Sequence, residues 1–158
     1  MKIILYTDGS VFPNPGPGGW AAILLAEKDG KVVSKEICGS IQDNTTNNRM
    51  ELYGIRAGLQ SIKKPEDAEV IVISDSNWAV NALGNPAWNI KKNLDLVDQI
   101  RQLVKIFFIK GVEFRWVKGH NGNQFNERCD VLAGLARKNK VVEQSQYVEV
   151  PPSSLDID

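Results

Sequence analysis

At 158 residues the chain has the length of one domain, and 42% hydrophobic with 24% charged residues is an ordinary globular balance. No apolar run is long enough to cross a membrane, and Met1-Lys2-Ile3-Ile4-Leu5-Tyr6-Thr7-Asp8 meets an acid too soon for a signal peptide. All 19 basic residues and 15 of the 19 acids lie in 1–140, so a body with a surplus of four positive charges precedes an acidic tail, and an anionic partner is permitted without being required.

Residues 2–7 read as a strand, apolar and β-branched, ending at Asp8-Gly9-Ser10. Asn14-Pro15-Gly16-Pro17-Gly18-Gly19 is dense turn chemistry, expected to be neither helix nor central strand. Residues 20–26 and 31–38 read as two strands joined through Lys28-Asp29-Gly30 as a hairpin. Asp43-Asn44-Thr45-Thr46-Asn47-Asn48 is a polar loop holding several possible helix caps. Behind it, Met50, Tyr53, Ala57 and Leu59 mark the apolar face of a helix running to about Ile62, where Lys64-Pro65 stops it.

Residues 69–74 form a continuous apolar run, the pattern of a strand covered on both faces. A short helix through Ala82 should close at Gly84-Asn85-Pro86. Leu94, Val97, Ile100, Leu103 and Val104 then define an amphipathic helix. Residues 112–117 alternate as a strand, residues 119–122 are a glycine-flanked loop, and 126–138 are the last helix with Val131, Leu132 and Leu135 inward. From Val141 the pattern dissolves and Pro151-Pro152-Ser153-Ser154 reads as part of a loose tail, with Tyr147-Val148-Glu149-Val150 as an edge strand or groove cover the alternative to disorder. The expectation is a single-domain α/β fold over 1–140, a mixed sheet with helices on its faces, followed by an acidic tail at 141–158.

Four acids sit at element ends. Asp8 ends the first strand and Asp75 follows the buried one, so parallel neighbours would present both carboxylates at the end of the sheet where such folds bind ligands. Glu51 and Asp130 lie in the first turns of two helices that could point at the same spot. Converging carboxylates repel unless a cation neutralises them. With one histidine, His120, and Cys38 far from Cys129, a metal here would sit mainly on oxygen, which favours magnesium or manganese. Two such ions would clamp the attacking and leaving oxygens of a phosphoryl displacement, provided the acids converge. The absence of any CxxC pair makes a reducing cytoplasm the default compartment.

The motifs go further than the spacing. Tyr6-Thr7-Asp8-Gly9-Ser10 with Asn14-Pro15-Gly16-Pro17-Gly18-Gly19-Trp20 closely resembles the opening of type 1 ribonuclease H. Thr46-Asn47-Asn48-Arg49-Met50-Glu51-Leu52 matches that family's second motif and Ser74-Asp75-Ser76 its third. Val117-Lys118-Gly119-His120-Asn121-Gly122, with Asn126-Glu127-Arg128-Cys129-Asp130, matches the fourth and fifth. The motifs occur in order and span 2–138.

The resemblance implies a five-stranded mixed sheet flanked by helices. It implies endonucleolytic cleavage of the RNA strand of an RNA–DNA hybrid, leaving 5′-phosphate and 3′-hydroxyl ends. By motif position, Asp8, Glu51, Asp75 and Asp130 would be catalytic ligands for two magnesium ions, with manganese able to substitute and Asp8 as the bridge. His120 resembles the auxiliary residue that helps proton transfer or product release. Short amides suit the reading of 2′-hydroxyls in a wide minor groove, and Asn14, Asn47 and Asn48 match family contact positions. Asn77 stands where many relatives carry glutamine. Trp78 occupies an aromatic position facing the DNA strand, with partial burial as its alternative role. Thr46 and Asn93 resemble a pair that holds a DNA phosphate, although Asn44 replaces an arginine often found beside them. The lysine-rich helix that many bacterial relatives insert between Asp75 and Leu94 is missing, which predicts salt-sensitive hybrid binding. A monomer that acts alone and needs no membrane is expected. A non-cleaving hybrid-binding module, or a nuclease of this fold acting on another duplex, stay open as alternatives.

Overall fold

Ile3, Ile4, Leu5 and Tyr6 are apolar on both sides of the pleat, so their strand needs cover above and below and takes the centre of a sheet. In the computed structural model, which describes residues 1–119, 122–140 and 147–157, this strand is β1 (Lys2–Val11). After it come β2 (Gly16–Lys28), β3 (Lys31–Thr45), α1 (Asn47–Gln60), β4 (Glu69–Ser74), α2 (Asn77–Gly84) and α3 (Leu94–Phe107). The chain continues through β5 (Val112–Trp116), α4 (Gln124–Arg137) and a two-residue β6 (Val148–Glu149). The sheet order is β5-β4-β1-β2-β3-β6, with β4 parallel to β1 and β5, and with β2, β3 and β6 added antiparallel. The expected mixed sheet flanked by helices is therefore present, extended by a short sixth strand.

Alternation along β1 divides the interior in two. Ile3 and Leu5 face α1, α2 and α3 through Leu52, Ile55, Ala79, Val97 and Ile100. Ile4 and Tyr6 face α4 through Cys129, Leu132 and Ala133. The β2–β3 hairpin turns at Asp29-Gly30, both with positive φ (52° and 79°), as a two-residue turn of that twist requires. Residues 85–93, between α2 and α3, form no helix, so the basic insertion is indeed missing.

Several local expectations change. Gly16, Gly18 and Gly19 belong to β2: Gly18 and Gly19 pair with both β1 and β3, and Gly16, across an irregularity at Gly16/Gly18, pairs with β3. Their composition looks like a turn, but the space explains it. A Cβ on Gly19 would collide with the α4 backbone at Ala133 and Arg137. β1 runs on to Val11 and β3 to Thr45, longer than their apolar runs, because each pairs with that glycine stretch. In α1 the buried face is Met50, Leu52, Ile55 and Leu59, while Tyr53 and Ala57 are only half-buried. Leu94 of α3 is exposed and Leu96 buried instead. In α4, Val131 is exposed and Leu135 half-buried, the inward stripe being Cys129, Leu132, Ala133 and Ala136.

The loose-tail expectation needs correction over 147–157. Val148 and Glu149 pair with Ser34 and Val33 on the edge of β3. Val150, Leu155 and Ile157 pack on the α4-side core, and Lys2 Nζ donates to the Leu155 carbonyl at 2.7 Å. Such scattered apolar residues produce no period, yet each finds cover once the edge of β3 is in place.

Candidate active site

Parallel pairing of β1 with β4 sets Thr7 opposite Ser74, so the next residue on each strand, Asp8 and Asp75, leaves the sheet at the same end. Glu51 arrives from α1. A side chain on Gly9 would stand 2.7 Å from the Glu51 backbone nitrogen, so glycine lets the helix press against the strand beside Asp8. The result is a cluster in which Asp8, Glu51 and Asp75 each offer an oxygen within 4.8 Å of the others. Asp8 is 3% exposed and Glu51 7%, whereas Asp75 is half-buried.

The electrostatics follow from that burial. Loss of hydration pushes the Asp8 carboxyl up to about 7, helped by the charges of Asp75 and Asp130, while its bond with Glu51 and the Gly9 N–H pull it back. That N–H donates to Asp8 Oδ1 at 2.9 Å. Burial and the Asp8 charge hold Glu51 well above the usual carboxylate range. Glu51 Oε2 is buried without a hydrogen-bond partner. A buried oxygen left unpaired, beside two further carboxylates, is the donor set that suits a hard divalent cation.

Asp130 stands on the exposed side of α4, outside the tight cluster but near enough for its charge to raise the Asp8 carboxyl. The loop after β5 comes close. At the end of β5, Trp116 Nε1 donates to the Asp75 carbonyl at 3.1 Å, and in the loop itself a Cβ on Gly119 would lie 3.0 Å from Asp75 Oδ2. His120, the next residue, lies outside the described residues.

The expected substrate-binding residues ring the α1 N-terminus and its neighbours. Asn14 Oδ1 accepts from the Asn47 N–H at 3.3 Å, and Asn47 Oδ1 accepts from the Val11 N–H at 2.9 Å. Both amide oxygens are thus engaged inside the protein, and Asn48 is exposed beside them. Thr46 caps α1 by accepting from the Arg49 N–H at 3.3 Å. Asn77 opens α2 with its Oδ1 accepting from Asn81 Nδ2 at 3.1 Å. Trp78 is half-buried and packs on the α1–α3 side core. Asn93 precedes α3 with φ 59°, and its Oδ1 accepts from Arg49 Nη1 at 3.3 Å. Arg49 was present in the second motif but assigned no task. Its signal lay in the pairing with Asp95, which a single sequence conceals. Asn126, one turn before Asp130, was also missed. It is a polar residue on the inward stripe of α4 and is buried with Oδ1 unpartnered.

The family model for RNase H matches residues 1–138. Ribonuclease H of Chlorobium phaeobacteroides strain BS1 is 38% identical over 149 residues, covering 87% of this chain and 97% of that protein. Among solved structures, the N-terminal RNase H domain of a Mycobacterium tuberculosis protein, fused to maltose-binding protein, superposes with a TM-score of 0.73 at 28% identity. That match covers 87% of this chain and 94% of the other. LC11-RNase H1, crystallised with an RNA/DNA hybrid, shares the fold at TM-score 0.72 and 24% identity, over 87% of this chain and 97% of its own. Such a match, running through β1 to β5 and α1 to α4, means that the chain belongs to the RNase H family, as a type 1 homologue.

Proposed function

We propose that the chain is a divalent-metal-dependent endoribonuclease that cuts the RNA strand of RNA–DNA hybrids. RNase H family membership supports hydrolysis of nucleic acid, and LC11-RNase H1, a protein of the same fold, takes an RNA/DNA hybrid. The observation that carries the metal dependence is the cluster of Asp8, Glu51 and Asp75 with its unpartnered buried oxygen. Asp8, Glu51 and Asp75 would hold the ion, and Asp130 would join from α4 when a second one is needed. Bound magnesium, or manganese in its place, supplies positive charge that neutralises the carboxylates and polarises the scissile phosphodiester and the attacking water.

The protein groups then do the positioning. The Asp8 carboxylate is held by the Gly9 N–H and the Asp75 backbone is tied to the end of β5 by Trp116, which limits the reorganisation needed when a substrate arrives. Water oxygen adds to phosphorus and the bond to the 3′-oxygen breaks, leaving a 5′-phosphate and a 3′-hydroxyl. The water gives up one proton and the departing 3′-oxygen takes one. We assign His120 to this proton traffic or to product release. With their oxygens engaged internally, Asn14 and Asn47 retain amide donors to offer to 2′-hydroxyls, and Asn48 adds another.

The test is cleavage of a labelled hybrid with magnesium, beside single-stranded RNA, double-stranded RNA and double-stranded DNA. Hybrid-selective cutting by the wild type, abolished in Asp8→Asn, is expected. Hybrid binding without cleavage in either magnesium or manganese would overturn the proposal in favour of a binding module.

A further inference from the structure

Three features meet where α1 begins and the chain enters α3. Thr46 Oγ1 accepts the backbone N–H of Arg49 at 3.3 Å, and Asn93 Oδ1 accepts Arg49 Nη1 at 3.3 Å. The same guanidinium is clamped by Asp95, through Nη1 at 3.1 Å and Nη2 at 2.9 Å. Arg49 therefore meets Thr46 through its backbone and Asn93 through its side chain, and that side chain is itself held in place by a carboxylate.

The polarity that results is one-sided. A guanidinium carries only donors, so of the two ends of the Asn93 amide only the oxygen can face it, and the NH2 group turns away. Asn93 sits in the left-handed region, φ 59° and ψ 31°, which asparagine tolerates better than most residues. Its side-chain direction is thus set at the backbone and its flip is set by Arg49. Thr46 has its oxygen engaged as an acceptor, leaving the hydroxyl hydrogen to donate. Among the described residues, neither the Asn93 amide nitrogen nor the Thr46 hydroxyl has an acceptor. Two polar groups that could each donate or accept have become donors, and what suits paired donors is an acceptor-only anion. The exposed Lys91 and Lys92, just before Asn93, add positive potential to the same corner.

Arg49 is poorly placed to grip that anion itself. Asp95 and Asn93 consume guanidinium donors on both terminal nitrogens, and Asp95 cancels the charge. We infer that Arg49 is a positioning residue, whose side chain fixes the Asn93 amide as a donor beside the Thr46 hydroxyl for one phosphate of the hybrid's DNA strand. It would take on the organising task in a pocket where Asn44 leaves no cation of its own. This inference rests on the hybrid-cleaving reading above, and it adds a residue to which that reading gives no role.

The test uses hybrids in which one DNA phosphate at a time is replaced by a neutral methylphosphonate. Binding is measured by fluorescence anisotropy without divalent metal, and cleavage is followed separately with magnesium. In the wild type one linkage should stand out, its neutralisation weakening binding by about tenfold. In Arg49→Met the penalty at that linkage should shrink to less than about twofold, and in Asn93→Gly, which keeps the left-handed backbone, it should shrink equally. A general loss of stability in Arg49→Met would weaken binding to every hybrid alike and could not erase a penalty specific to one linkage. An undiminished penalty in Arg49→Met overturns the inference, as does the lack of any sensitive linkage in the wild type. If Asn93→Gly keeps the penalty while Arg49→Met loses it, Arg49 grips the phosphate directly and the positioning role is wrong. Wild-type binding without cutting would count against the nuclease reading alone.

Discussion

Two carboxylates buried side by side make the metal-free protein pay for ionisation, and the sign of that effect is fixed by Asp8. Its folded-state value is raised from 3.8 to about 7, so the folded chain holds a proton that the unfolded chain has released. The stability this contributes is complete below about pH 4 and is lost as pH climbs through 7. Glu51, raised for the same reason, acts in the same direction. Asp8→Asn removes the ionisation without changing the shape. Without metal, the variant should be more stable than the wild type at pH 8, by on the order of a few kcal/mol and with a higher melting temperature, and the gap should close towards pH 4. Magnesium should stabilise the wild type at pH 8 more than the variant. Parallel melts that keep the same gap at both pH values would mean the carboxylates are not coupled as their burial implies.

The site exists because elements approach one another closely, and β1 against α1 is the approach that sets Glu51 beside Asp8. A methyl group on Gly9 would stand 2.7 Å from Glu51 N and 2.8 Å from Met50 C, both backbone atoms that cannot swing aside. Gly9→Ala should therefore destabilise the fold by about 1–3 kcal/mol and also separate Glu51 from Asp8. Activity should fall further than the melting temperature accounts for, as read by kcat at a temperature where the variant is fully folded. Activity that keeps pace with the folded fraction would show that the spacing tolerates the shift. This approach also marks the limit of what the sequence discloses. The strand running into Asp8 and the one ending before Asp75 could be read from their apolar runs, but their parallel pairing was only a condition until the sheet placed them side by side. Gly18 and Gly19 read as turn, because a glycine demanded by close neighbours, side chains at Gly18 and the α4 backbone at Gly19, looks the same in sequence as one demanded by a positive φ. Leu94 and Val131 read as core, because periodicity fixes a helix face but not which edge of it meets the sheet. The Arg49–Asn93 contact had no signal at all, since the partners lie 44 residues apart and only the packing of α3 beside α1 brings them together.

At the scale of the whole molecule, charge governs how a nucleic acid is held. The chain is neutral overall, but its four surplus positive charges lie in 1–140 and the compensating acids lie in the tail. That tail is not remote. Glu149 lies on the strand paired to β3 and forms an ion pair with Lys31 at 3.6 Å, so this acid stays with the body. No helix between α2 and α3 adds a basic surface. Hybrid binding should therefore depend on few phosphate contacts, each releasing counterions, with nothing held in reserve as salt rises. If about four phosphates are neutralised, affinity should drop by roughly a hundredfold between about 50 and 200 mM salt. A titration of binding against salt gives the slope directly. A shallow slope with tight binding would mean that base and sugar contacts carry the affinity, and the amides of Asn14, Asn47 and Asn48 would then be the groups to remove next. A slope much steeper than four contacts can produce would instead call for lysines beyond the α1–α3 corner, with Lys91 and Lys92 as the first to neutralise, because they are exposed next to Asn93.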